Sequence, residues 1–581
     1  MRKKPIILWA PEKEKVILVS ADDSCGMEKD ENGFWRGPPM TAGTPYQFFL
    51  DGEGPFPDPR SQSQPEGVHG ASKTVDYSRF HWTDEGWQPP PLTAGVIYEL
   101  HIGTFSPEGT FEGAEKKLSY LRDIGVTHIE LMPVNSFSGK RGWGYDGVSL
   151  YAPHEAYGGP AGLARFVDRC HQTGLAVILD AVYNHLGPEG NYLEKYGPYF
   201  TETYKTGWGK AVNFDGPGSD QVRAFFIGNA LHWLKNYRID GLRIDAVHAI
   251  FDHTAVHFLE ELTQEVRRLE KITGKKKYLI AESDLNDPRI VREQGAGGYG
   301  MDAQWSDDFH HALHSVLTGE QDGYYEDYGS FHHLAQAFLN PFIYSGEYSA
   351  HRGRRHGRDP DRLGGEKFLA YIQNHDQIGN RAAGDRISHL AGTGGAKIAA
   401  ALVFFSPYIP MIFQGEEWAA SSPFQYFTDH GDPDLGAAVS RGRRREFAAF
   451  GWKPEDVPDP QAEDTFTDSK LRWDEIPEEP HRSVLDWYRL LIQYRKTHPD
   501  LMDYDRLNTE VMFSSEAGWF MVFRGTSGCI CNFSGTGIDI AEGELPGDFH
   551  PEFSSEPECL TAEGVLTLPA KSVCIGRILP G

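Results

Sequence analysis

Six cysteines in 581 residues (Cys25, Cys170, Cys529, Cys531, Cys559 and Cys574) are few, and no CxxC spacing occurs among them, so nothing suggests a thiolate metal site. Cys529 and Cys531 fall two apart in an expected strand, too constrained locally to build one. Long apolar runs are missing too. No stretch approaches the ~18 residues of a spanning helix, and no membrane partner is expected. The start "MRKKPIILWAPEKEK" is basic, but its apolar run is short before Pro11 and charges, unlike a signal peptide; a cytoplasmic protein is expected. Positive charge is in deficit, with 56 Lys and Arg against 83 Asp and Glu and a net charge of −27, which argues against nucleic acid as a partner. The run "HRGRRHGR" (351–358) is a local exception, read as a solvated loop or one touching a polar ligand. A phosphate-cradling glycine loop is absent as well.

What remains is a globular composition, 39% hydrophobic and 24% charged, rich in aromatics at 13%. A chain of this length is expected to hold roughly two to four domains. Residues 1–90 read as short strands broken by turns ("PIILWAP", "KVILVS", "GFWRG", "PYQFFLDG"), a small β-sandwich closed by the proline linker "QPPPLTAG". From 91 to 500 apolar strand runs alternate with amphipathic helices. The strands are "GVIYELHIGTF", "VTHIELMPV", "LAVILDAVYNH", "DGLRIDAVHAI", "KYLIAESD", a weak "DAQW", "KFLAYIQNHD" and "YIPMIFQGEEW". Eight such repeats predict an α/β fold, a (β/α)8 TIM barrel. Residues 501–581 return to β patterning, a C-terminal β-sandwich.

The fourth strand poses the chemical question. In "DGLRIDAVHAI" Arg243 and Asp245 lie two apart, so they face the same way in an extended chain, while Leu242 and Ile244 face the other. Two buried charges cost several kcal/mol each unless paired, so the pair is either a structural ion pair or a reactive carboxylate held by its arginine. The other strand ends favour the second reading. Barrel enzymes collect their catalytic groups at the C-terminal ends of the strands, and here those ends carry Tyr183, Asn184 and His185, then Glu282, then Asn374, His375 and Asp376. Three converging carboxylates point to glycoside chemistry, where a retaining pair stands about 5–5.5 Å apart. Asp245 is expected to stay ionised beside Arg243 and act as nucleophile. Glu282 must be protonated, with neighbouring carboxylates raising its pKa, and Asp376 would hold hydroxyls of the distorted sugar. His185 and His375 are candidate hydroxyl donors, although a histidine of this kind taken alone is more often structural.

"DAVYNH", "GLRIDAVH", "IAES" and "NHD", in this order, resemble the four conserved segments of the α-amylase superfamily of retaining α-glucanases. The resemblance implies Asp245 as nucleophile, Glu282 as proton donor and Asp376 as transition-state stabiliser, and an N-terminal sandwich of the immunoglobulin-like, glucan-binding-module type. Longer stretches, among them "RGWGYDGVSLYAPHEAYGGP", "QWSDDFHHALHSVLTGE" and "NHDQIGNR", are similar to the maltooligosyltrehalose trehalohydrolase branch. That branch implies maltooligosyl trehalose and related α-1,4-glucans as substrates, cut beside the terminal trehalose. Leaving-group contacts are then expected from Trp208, Asp307, Asp308, Phe309, His310, Tyr324, Tyr325, His351 and Arg352, and further substrate contacts from Tyr151, Gln377 and Asn380. Many α-amylases follow the nucleophile with a Lys-His pair beside a calcium site. Here "AVHAI" follows, so His248 is expected to take over part of that role and neither an essential metal nor a cofactor is expected. A glucan branching enzyme or endo-α-amylase on the same scaffold stays open as an alternative. A non-catalytic glucan-binding protein is a remote one.

Overall fold

The eight predicted strand runs pair edge to edge and close on themselves. In the computed structural model, which describes residues 3–20, 23–448, 452–557, 559–562 and 564–579, they are β1 (Ile97–Leu100), β2 (His128–Leu131), β3 (Ala176–Ala181), β4 (Gly241–Ile244), β5 (Tyr278–Ala281), β6 (Ala303–Trp305), β7 (Phe368–Ala370) and β8 (Ile409–Phe413). All neighbours are parallel, and β8 returns to pair with β1. Every residue of these strands is buried, since helices cover the outside and side chains fill the inside. The register sets polar residues level with one another: Glu99 opposes Glu130, and Asp180 opposes Arg243.

The sandwich at the N-terminus is built from two sheets. Lys3–Trp9 pairs with Phe34–Thr41, and Val16–Ser20 pairs with Asp23–Gly26 and Pro45–Leu50. Alternating apolar positions such as Ile6, Leu8, Leu18 and Phe48 form its core. It rests on the long excursion between β3 and the helix Ser219–Asn236. There Trp9 meets Tyr199 edge-on at 5.5 Å and the Tyr196 hydroxyl donates to the Pro57 carbonyl at 2.6 Å. The same excursion carries the hairpin Phe200–Thr206 and Gly209–Val212, with Trp208 at its turn.

Past the barrel, a five-stranded antiparallel sheet (Thr509–Ser514, Trp519–Arg524, Ser527–Asn532, Ser572–Leu579, Asp548–Ser554) and a three-stranded one make up the C-terminal region. The helix Ile387–Phe405, with a mean hydropathy of 1.3, is long and apolar enough by composition to cross a membrane, which the run-length reading of the sequence did not anticipate. In this fold it packs against Asp307–Thr318, His481–Thr497 and the C-terminal sheet, as a core helix does.

Candidate active site

Asp245 follows β4 directly, and the next residue turns the chain. Ala246 takes a left-handed conformation (φ 37°), costly for a residue with a Cβ by about 1–2 kcal/mol. In that pose its N–H donates to Glu282 Oε2 at 2.7 Å, so one sharp turn ties the end of β4 to the end of β5. Fully buried Arg243 binds the whole group. Its Nη1 donates to Asp180 Oδ2 at 2.6 Å and to Asp245 Oδ1 at 2.8 Å, its Nη2 lies 2.8 Å from Glu282 Oε2, and its guanidinium stands 4.2 Å from the Trp305 ring centre. Asn184 Nδ2 holds the other Asp245 oxygen at 2.7 Å.

These contacts set unlike charge states. Burial pushes the Asp245 carboxyl up, yet Arg243, His185 and the Asn184 hydrogen bond outweigh it and leave its pKa below the ordinary carboxylate value. Glu282 is pushed well above its ordinary value, first by burial and then by Asp245, Asp376 and Asp307, against the pull of Arg243. The expected direction holds, but desolvation rather than neighbouring charge is the larger cause. His375 follows a third course. Burial would lower it, but the Asp376 and Glu99 carboxylates carry it to about 9, so it is an imidazolium at neutral pH.

Asp245, Glu282 and Asp376 line one hollow of about 510 Å³ with His185, His248, Trp208 and Asn380. Tyr145 floors it, stacked on His375 at 5.0 Å and donating to Asp180 Oδ2 at 2.5 Å. Trp208 lies flat on His185 (4.4 Å, 5°) and is 55% exposed. A second hollow of about 480 Å³ adjoins across Glu282, Asp376 and Asn380. Asp307, Tyr324, His351, Arg352 and Gln377 line it, and Asp245 does not. Between the two, Asp284 stands 3.9 Å from His248 and 3.5 Å from Arg352. Among the described residues no group of three His, Cys, Asp or Glu side chains is placed to hold a metal ion.

Five expected contacts lie elsewhere. Phe309 is wholly buried against Phe338 and Tyr408, pointing away from the hollow. Asp308 accepts from Asn286, Tyr328 and the Ile343 N–H, and anchors loops. His310 bonds the Ile372 carbonyl and the Tyr325 hydroxyl, while Tyr325 stacks on His314, so both sit behind the site wall. Tyr151 is buried, bonded to Arg60 and the Phe225 carbonyl at the seam with the N-terminal sandwich. For Asp308, Phe309 and His310 the reason is helical register. On the helix Asp307–Thr318 only residues a turn apart share a face, so Asp307 and His311 line the second hollow together and the three residues between them point elsewhere.

His311 was therefore missed, though the i, i+4 spacing with Asp307 could have found it. Asp180 and Tyr145 were missed as well. Asp180 is a lone acid in the apolar run "VILDAV", the same signal that drew attention to Arg243, and its pKa is raised by burial to about 6. Tyr426, Val439, Arg443 and Glu446, which also line the first hollow, come from beyond β8 and carried no signal.

The chain's residues 56–208 match the alpha-amylase catalytic domain. A malto-oligosyltrehalose trehalohydrolase of Arthrobacter ramosus is 48% identical over 532 residues, covering 90% of this chain and 91% of its own. The enzyme of that name from Saccharolobus solfataricus is 49% identical over 494 residues, with 84% and 85% covered. A crystal structure from Salmonella typhimurium, described as a candidate alpha amylase, superposes with a TM-score of 0.90 at 39% identity, covering 99% of this chain and 97% of that one. The chain belongs to the malto-oligosyltrehalose trehalohydrolase family, within the α-amylase group.

Proposed function

We propose that this protein hydrolyses the α-1,4-glucosidic bond next to the terminal α,α-1,1-linked trehalose of a maltooligosyl trehalose, with retention, and releases trehalose. Asp245, ionised beside Arg243, attacks the anomeric carbon. Glu282, kept protonated by burial, gives its proton to the departing oxygen and then takes one from the water that hydrolyses the glycosyl-enzyme. Asp376 and the cationic His375 face the same sugar and bind its hydroxyls.

The observation that carries this reading is the pair of adjoining hollows that share Glu282. The sugar that bonds to Asp245 has to sit where Asp245 is, so the leaving group lies on the other side of the proton donor, in the hollow of Asp307, Tyr324, His351 and Arg352. That second space is polar, with an arginine and acids able to fix the hydroxyls of a non-reducing disaccharide. Likeness to the named trehalohydrolases supports the same substrate. Incubation with maltotriosyl trehalose beside maltopentaose, with products resolved by chromatography, tests it. Trehalose and maltotriose from the first, faster than any cleavage of the second, are expected. Equal cleavage of both would indicate an endo-α-amylase, and a product with new α-1,6 branch linkages a branching enzyme.

A further inference from the structure

We propose that Glu99, at the third position of β1, is a positioning residue for the reaction: it grips His375 at both ring and backbone, so that the far ring nitrogen stays aimed past Asp376 into the hollow. The idea rests on the glycosidase reading above. Glu99 does not line the hollow and is buried inside the barrel. Its Oε1 lies 2.5 Å from His375 Nδ1, and its Oε2 accepts the His375 backbone N–H at 3.0 Å. One carboxylate therefore sets both the place of the residue and the rotation of its ring. With Nδ1 engaged, Nε2 is the nitrogen left for the sugar, 3.5 Å from Asp376 Oδ1. Tyr145 stacks on one face of the ring and Trp143 meets it edge-on at 5.6 Å, so the ring has little freedom to swing.

The charges around His375 come from every side. Glu99 approaches from β1, with His101, its pKa lowered by burial to about 3, just past that strand; Asp376 comes from the helix His375–Gly379 that His375 itself opens, Arg243 and Asp245 from the end of β4, and Glu130 and Asp180 from β2 and β3. Of these, Asp376 and Glu99 are the anions that favour the imidazolium, while burial and Arg243 oppose it. Glu130 lies level with Glu99 in the next strand but makes no hydrogen bond through either oxygen, and burial, then the Glu99 charge, pushes its pKa well above the ordinary carboxylate value. Two glutamates in one layer thus differ in role, and the second is a natural control.

The test is the pH dependence of kcat for glucan hydrolysis in E99Q, E130Q and the wild type. Without the Glu99 charge, the His375 pKa falls toward the ordinary histidine value of about 6.5, at which ~90% of the ring is protonated at pH 5.5 and only ~3% at pH 8. The ratio of kcat at pH 5.5 to kcat at pH 8, divided by the wild-type ratio, is expected to rise about 10-fold or more in E99Q and to stay near one in E130Q. In a His375→Ala background E99Q should change kcat little further, because its effect passes through that ring. A flat ratio for E99Q, the same shift in E130Q, or an equal loss with and without His375 would overturn the proposal. If E99Q does not fold, E99D, which keeps the charge but shortens the reach, is expected to lower kcat without the pH shift; a wild-type profile for E99D would overturn it too. A wild type that hydrolyses no glucan would instead sink the glycosidase reading itself.

Discussion

Three carboxylates, those of Asp180, Asp245 and Glu282, meet a single guanidinium at Arg243. A lysine ammonium is one point charge and cannot bridge all three, so R243K should lower kcat by roughly 10²–10³, as lost active-site donors do elsewhere, with KM changed far less. The pH profile should move in a set direction. With Asp245 as the proposed nucleophile and Glu282 as the proposed proton donor, the acid limb would report ionisation of the first and the alkaline limb deprotonation of the second; Arg243 lowers both pKa values, so both limbs should shift to higher pH in R243K. Steady-state rates from pH 4 to 9 check this, and unmoved limbs would deny Arg243 its electrostatic part. Arg352 acts at the other hollow, so R352A should cut kcat/KM for trehalose release about 10-fold, ~1.4 kcal/mol, while plain maltooligosaccharides lose much less. Equal losses on the two substrates would remove it from leaving-group recognition.

Elements explain which of these residues could be read from the chain and which could not. Strand ends were legible because a charge inside an apolar run is costly and therefore stands out: Arg243, Asp245, Glu282 and Asp376 all met that test. Glu99, Glu130 and Asp180 met it too, but as single acids without the paired cation that made "LRID" conspicuous. The helix Asp307–Thr318 was harder, since its five opening residues look equally functional until the 3.6-residue period is imposed. Loop contributions such as Tyr426 and Arg443 had no local pattern; only the closed barrel brings them to the site. The helix also separates stability from function. Phe309→Ala, on its core face, should destabilise the protein by about 3–5 kcal/mol while leaving kcat/KM of the folded enzyme near wild type. D307N, one turn away from His311 on the other face, should do the reverse. Denaturant titration alongside substrate kinetics separates the two, and a catalytic loss in F309A at full folding would contradict the assigned faces.

Across the whole molecule, the barrel's closure is joined to its outer helices by two buried acids just after β8. Glu416 accepts from Gln373 at 3.0 Å and from the Tyr488 hydroxyl at 2.9 Å, the latter on the helix His481–Thr497 that leads to the C-terminal sheets. Glu417 accepts from Tyr98 on β1 and Tyr120 on the helix Leu118–Ile124, each at 3.0 Å. Burial raises their pKa values from 4.5 to about 7 and about 8, against the pull of those hydrogen bonds. The consequence for stability has a definite sign. Below about pH 4.5 both groups are protonated whether the chain is folded or not, and they contribute no pH dependence. Between there and pH 7–8 the unfolded chain gives up the protons while the folded one keeps them, so stability falls as pH rises. Above about pH 8 the full cost, on the order of a few kcal/mol for each acid, has been incurred. Other buried groups titrate over the same range, His375 among them, so the wild-type curve alone does not isolate this pair. The comparison with E417Q does, because glutamine keeps an acceptor for the tyrosines and never ionises. The variant's Tm relative to wild type should climb from pH 5 to about pH 8 and level off beyond it, whatever its offset at the acid end, and a difference that stays constant from pH 5 to pH 9 would show that Glu417 does not titrate in the folded protein.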